Sequence, residues 1–157
     1  MLHILLYQPE IPHNSGAIMR LCAATQTQLH LIGPLGFRLD SAAVRRAGMD
    51  YREWANVQRH DNWPAFLTTL PSPSSLERLF VFTTHGSTSY HQTRYQPGDW
   101  LLFGNEGSGL PPDLRQQFAE RLRRIPMADP ARSLNLANSV AIVLYEALRQ
   151  LDFQGLR

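Results

Sequence analysis

The sequence predicts an α/β domain built on a mostly parallel sheet covered by helices. Three observations carry this. Strand-like and helix-like segments alternate along the chain, as they do in βαβ units. The strand-like runs include L-H-I-L-L-Y at 2–7, L-F-V-F at 79–82 and W-L-L-F at 100–103, apolar enough to be buried. Two apolar runs late in the chain, Trp100–Phe103 and Ile125–Met127, each end in a small or polar loop, and the second loop feeds a helix.

The elements follow in order. Leu2–Tyr7 reads as a buried strand. Asn14–Thr25 reads as a helix with Asn14 as its N-cap, since an Asn side chain accepts from the free N–H groups of a first turn. In this helix Ile18, Leu21, Cys22 and Thr25 form one stripe, and Arg20 projects away from it. Leu29–Ile32 is a second strand, and Ser41–Ala47 a short helix ended by Gly48. Val57 marks a weak strand before a helix at Asp61–Leu70, and residues 71–75 (P-S-P-S-S) form a loop. Leu79–Thr84 and Trp100–Phe103 are strong strands. Pro111 and Pro112 sit where the first turn of a helix running to about Arg121 tolerates proline. Leu122–Ile125 is the last strand, and Ser133–Leu151 a long closing helix. No repeat or domain boundary interrupts residues 1–157, which read as one domain.

The closing helix differs from the first. Its V-A-I-V-L run at 140–144 puts apolar side chains on both faces. Such a helix must be sandwiched, inside the domain or against a second subunit, and for a small domain a homodimer interface is the expectation.

Composition narrows the function classes. The chain has 43% hydrophobic and 18% charged residues, in the globular range. No apolar run reaches the length needed to span a bilayer, and no signal-peptide pattern opens the chain. Cys22 is the single cysteine, which excludes an internal disulfide framework and fits a reducing cytoplasm. All 15 Lys+Arg residues are arginine. Arginine suits bidentate phosphate contacts and base stacking, and a net charge of +2 permits an RNA partner.

The motifs point to a main-chain pocket. A strand that stops at glycine leaves bare N–H and C=O groups where a ligand can approach. Gly104, Gly107 and Gly109 lack the order of a dinucleotide fingerprint, and no lysine follows to make a phosphate loop. Glu106 inside that turn disfavours a bare phosphate and suits hydroxyls, amides or a cation. The six histidines show no metal-ligand spacing, and Ser108 lacks a nucleophile-elbow pattern. His85 follows a strand, where a hydrogen-bonded loop histidine is expected. Upstream, P-E-I-P-H-N-S-G at 9–16 leads from a strand to a helix whose first N–H groups are free, with Arg20 on its polar side.

Three blocks carry a resemblance: P-E-I-P-H-N-S-G-A-I-M-R-L-C, L-L-F-G-N-E-G-S-G-L-P, and R-I-P-M through S-L-N-L-A-N-S-V-A-I-V-L-Y-E. In this order they resemble the SPOUT superfamily of RNA methyltransferases, and within it the bacterial tRNA (cytidine(34)-2'-O)-methyltransferase family. G-P-L-G-F and R-R-A-G-M-D-Y between them also fit, so the likeness spans essentially the whole chain. Departures such as His13 and Ser15 avoid the key positions.

The resemblance implies a C-terminal deep trefoil knot, a homodimer, and S-adenosylmethionine held by main chain of the two C-terminal loops, with no metal. The matching positions are Phe82, Thr83, Gly104, Glu106, Gly109, Ile125, Met127, Ser133 and Leu134 for the cofactor. The reaction implied is in-line methyl transfer to the ribose 2'-hydroxyl of the wobble pyrimidine in a tRNA anticodon loop, with leucine tRNAs the expected substrates; the alternatives are 2'-O-methylation at another tRNA or ribosomal RNA site, or a non-catalytic RNA-binding dimer of the same fold. Arg20 matches the family's catalytic arginine, Ser133 and Asn135 are helpers near the methyl group, and Asn14 fixes the first loop. A guanidinium is almost always protonated, so either the site lowers its pKa greatly, or Arg20 orients the hydroxyl and the neighbouring phosphate while another group takes the proton. Arg45, Arg46 and Arg123 or Arg124 are expected on stem phosphates.

Overall fold

The computed structural model describes residues 1–40, 42–46 and 56–157. Seven described strands form one sheet: β1 (His3–Tyr7), β2 (Gln28–Ile32), β3 (Val57–His60), β4 (Leu79–Phe82), β5 (Thr88–Ser89), β6 (Trp100–Phe103) and β7 (Leu122–Arg124). Their order is β3-β2-β1-β6-β4-β7-β5, and every pairing is parallel. The helices are α1 (Pro12–Ala24), α2 (Ala42–Arg46), α3 (Trp63–Thr68), α4 (Pro112–Gln117) and α5 (Leu136–Gln150).

Period two along the strands divides the core. Ile4, Leu6, Leu29, Leu31, Phe80, Phe82, Leu101 and Phe103 face α1 and α5. Leu5, Ile32, Leu79, Val81, Trp100 and Leu102 face the opposite way, where α3 supplies Phe66 and α4 supplies Leu114. Both faces are therefore covered, which is why the central strands read as unbroken apolar runs.

Several boundaries differ from expectation, each for a local reason. Helix α1 begins at Pro12, whose fixed φ suits the first helical position, and Ile11 occupies the N-cap with no side-chain bond. Asn14 is thus inside the helix and not its cap. Helix α5 begins at Leu136 with Asn135 as N-cap, accepting from the Asn138 N–H, so Ser133 and Leu134 belong to the preceding loop. Asn62 caps α3 in the same way, which moves its start from Asp61 to Trp63. The expected loop at 71–75 gives way at Pro73 to a 3₁₀ turn over 73–78, and α4 stops at Gln117 before another 3₁₀ turn at 119–121. Strand β4 ends at Phe82 and β7 at Arg124, each shorter than expected, while Val57 opens a four-residue edge strand. The two-residue β5 was not foreseen from its Thr-Ser sequence. Ser41, Ala47 and Gly48, the expected bounds of the second helix, lie outside the described residues.

One face carries a row of histidines. His3 Nδ1 lies 3.2 Å from His30 Nε2, and His30 Nδ1 lies 3.0 Å from His60 Nε2. Trp100 stacks on His3 at 4.0 Å between ring centroids, and Phe66 meets His30 and His60 edge-on. Burial lowers all three pKa values, His3 to about 4 with help from the N-terminal ammonium and His30 to about 3. The row is a neutral, hydrogen-bonded part of the core. Among the described residues no cluster of three potential metal ligands occurs, and no helix is long and apolar enough to cross a membrane.

Candidate functional site

The C-terminal ends of β4 and β6 open onto a cavity of about 630 Å³, within the rough 300–1,000 Å³ range of small-ligand sites. Three loops wall it. One leaves β4 through Thr83 and His85, the second leaves β6 through Gly104–Leu110, and the third runs from Ile125 to Asn135 into α5. Phe82 and Phe103, neighbours on β4 and β6, stack at 4.9 Å with ring planes 17° apart and give the cavity an apolar floor.

The second loop holds its own shape. Asn105 Oδ1 accepts from the Ser108 N–H at 2.7 Å and the Gly109 N–H at 3.1 Å, and Asn105 and Gly109 also exchange main-chain bonds. Gly109 has φ +68°, a left-handed conformation glycine adopts without strain, and the space where a Cβ would project is open. At Gly104 a Cβ would lie 2.4 Å from the Gly109 carbonyl carbon, so only glycine lets the loop fold back on its own strand.

Every position expected to hold a cofactor lines this cavity: Phe82, Thr83, Gly104, Glu106, Gly109, Ile125, Met127, Ser133 and Leu134. Asn14 and Asn135 line it too, joined by a 3.0 Å bond from Asn135 Nδ2 to Asn14 Oδ1. Glu106 is the surprise. Its carboxylate accepts from the Glu10 N–H at 2.8 Å, the Ile11 N–H at 3.1 Å and Asn14 Nδ2 at 3.2 Å. It faces the start of α1, a partner that no local pattern signals across more than 90 residues.

Arg20 is not brought to the cavity within one chain. Six residues beyond Asn14, it lies roughly 9 Å along the helix and about 240° around it, on an exposed face. Of the basic clusters, Arg45, Arg46 and Arg124 are exposed. Arg121 and Arg123 are not free for phosphate: Arg121 donates to the Leu76 carbonyl, and Arg123 to Thr93 Oγ1 and the Glu120 and Leu122 carbonyls. Arg115 was missed. It comes from the α4 turn after the second loop, lines the cavity and has a buried Nε–H with no partner. His85 also lines the cavity, and its main-chain N–H bonds Thr83 Oγ1.

The residues suit S-adenosylmethionine by their chemistry. Stacked phenylalanines and Ile125 offer apolar contact to a base, loop main chain offers donors and acceptors to hydroxyls, and Gly109 leaves open space beside them. A sequence profile decides the family: that of the SpoU rRNA Methylase family matches residues 1–145. The chain belongs to this family. Relatives of this SpoU methylase are similar over their full length. One, the tRNA (cytidine(34)-2'-O)-methyltransferase of Burkholderia pseudomallei, is 50% identical over 157 residues, covering 99% of both chains. The Escherichia coli K12 enzyme of the same name is 47% identical, over 99% of this chain and 97% of its own.

Solved structures agree. One described as giving insight into 2-OH methylation of C/U34 on tRNA superposes with TM-score 0.87 at 47% identity, covering 97% of this chain and 91% of that one. AviRb from Streptomyces viridochromogenes, a SpoU methyltransferase in complex with AdoMet, has TM-score 0.82 at 25% identity, covering all of this chain and 59% of that one.

Proposed function

We propose that this protein transfers the methyl group of S-adenosylmethionine to the 2'-hydroxyl of the wobble pyrimidine ribose in tRNA. The observation that carries the reading is the cavity: all nine cofactor positions expected from sequence converge on it, beside Asn14 and Asn135. The full-length relatives that bear the wobble-cytidine name support the substrate.

When bound, the cofactor supplies an electrophilic methyl on a sulfonium. The chain's residues do the rest. The main chain of Gly104 and Gly109, with Phe82, Thr83, Ile125, Met127, Ser133 and Leu134, would hold it. Holding the hydroxyl and the methyl together would contribute much of the acceleration, since a bimolecular encounter becomes an intramolecular one. Ser133 and Asn135 flank the reacting position, and Asn14 fixes the loop beside it. Arg20 orients the ribose hydroxyl and its neighbouring phosphate, while another acceptor takes the hydroxyl proton.

A homodimer explains why Arg20 lies outside its own chain's cavity. The exposed Ile142 and Tyr145 on α5 offer an apolar face, and α1 packs beside α5. Docking through that side brings one protomer's Arg20 toward the partner's cavity. The knot belongs to the same proposal. Strand β7 lies between β4 and β5, and a Cβ on Gly86 would sit within 2.7–3.0 Å of Arg123 main chain, so the segment before β5 closes tightly over β7. Deep knots are very rare, and general connection rules argue against one. The family likeness supports the knot.

The test is to incubate the protein with labelled cofactor and total tRNA, then map the methyl by nuclease digestion and mass spectrometry. A 2'-O-methylated nucleotide at the wobble position is expected, and the same map reports whether leucine isoacceptors carry it. Methylation at another position refutes the wobble assignment.

A further inference from the structure

Helix α1 starts without a cap of its own. Ile11 stands at the N-cap in an extended conformation with a side chain that offers no acceptor, and no acidic residue lies in the first turn. The N–H groups there need acceptors, and the helix N-terminus favours negative charge. The Glu106 carboxylate brings that charge from a distant loop and takes the N–H groups of Glu10 and Ile11, the two residues that lead into the helix, one on each oxygen.

The same carboxylate sets the orientation of Asn14. One oxygen accepts from Asn14 Nδ2, which leaves Asn14 Oδ1 to accept from Asn135 Nδ2. With the amide reversed, its oxygen would face the carboxylate and its nitrogen would face another NH₂ group, losing both bonds. Asn135 Oδ1 in turn caps α5 through the Asn138 N–H. One chain of hydrogen bonds thus runs from the cofactor loop through the start of α1 to the start of α5. The cofactor loop does not need Glu106 for its own shape, because Asn105 holds it. Next to Glu106, a Cβ on Gly107 would lie 2.9 Å from Glu10 Oε2, so the two loops touch at a second point.

We infer that Glu106 is a positioning residue that ties the start of α1 to the cofactor loop and so fixes the helix that presents Arg20 to the partner's cavity. This rests on the methyl-transfer reading. The resemblance gives Glu106 to the cofactor, but its carboxylate is taken up by the start of α1, so removing it should leave the cofactor's main-chain contacts in place and let the Arg20 helix drift.

The experiment uses the full chain with Glu106→Ala, Glu106→Gln, Asn14→Asp and the Asn14→Asp/Glu106→Gln pair. S-adenosylhomocysteine affinity is read by calorimetry, methyl transfer in a single turnover, and main-chain exchange at Glu10 and Ile11 by NMR. For Glu106→Ala we expect affinity within threefold of the parent, a transfer rate at least thirtyfold lower, and exchange at least tenfold faster. Asn14→Asp sets two carboxylates face to face. The pair reverses donor and acceptor, and should transfer at least fivefold faster than Asn14→Asp alone. Affinity falling as far as rate would make Glu106 a cofactor ligand and overturn the inference, as would unchanged exchange at Glu10 and Ile11. A parent protein that transfers no methyl refutes the reaction, while the exchange measurement still decides the tie to α1. Should Glu106→Ala not fold, Glu106→Gln and the reversed pair carry the test.

Discussion

At the residue scale, the histidine row shows how a polar side chain is made part of a core. His30 donates or accepts on both ring nitrogens, so its tautomer is tied to those of His3 and His60. Each folded pKa lies below the ordinary value of about 6.5, so the fold binds fewer protons than the unfolded chain in mild acid. The stabilisation is complete above that ordinary value. It is lost as pH falls toward the folded values, about 4 for His3 and about 3 for His30. The thermal midpoint is therefore expected to drop between pH 7 and pH 5, a window above most carboxylate titrations. His30→Gln, which can still donate to one neighbour and accept from the other, should show a smaller drop over that range. An equal drop in parent and variant would contradict the account.

Among elements, α5 is the most informative. Val140, Val143, Leu144 and Ala147 are fully buried against the sheet. Ile142 remains 37% and Tyr145 48% exposed on the other side, and the Tyr145 ring meets Phe153 just beyond the helix at 6.3 Å. The V-A-I-V-L run announced this two-sided character. Its position did not: the run suggests a start at Ser133, but the Asn135 side chain caps the helix two residues later. Similarly Asn14 has a capping side chain by type, yet Pro12 begins α1 and Glu106 claims the amide. Helix interiors follow from periodicity, whereas their starts depend on which acceptor reaches the N–H groups, and that acceptor can be remote in sequence. For the dimer proposal, light scattering should give a mass near twice 17.9 kDa. Ile142→Glu with Tyr145→Glu should shift it to the monomer and abolish methyl transfer. A monomeric parent would contradict the interface.

For the whole molecule, the parallel sheet was legible because its central strands are buried on both faces and carry no alternation. The cavity was legible because two glycine- or serine-edged loops follow strands that prove to lie close in the sheet, with only β4 between β6 and β7. What local patterns did not contain were the long-range pairings. Glu106 serves a helix start more than 90 residues upstream, Arg123 is taken up by Thr93, and Arg115 reaches the cavity from α4. Arg20, for its part, stands apart from its own chain's cavity, and in the proposed homodimer the transfer chemistry is a property of the assembly.

The central claim is transfer to a ribose 2'-oxygen at the wobble position. Its most direct measurement compares two anticodon stem-loops, identical except that one carries 2'-deoxycytidine at position 34. Labelled methyl is expected on the ribose form alone, at nucleotide 34. Equal labelling of the deoxy form, or labelling at another nucleotide of the ribose form, would contradict the account.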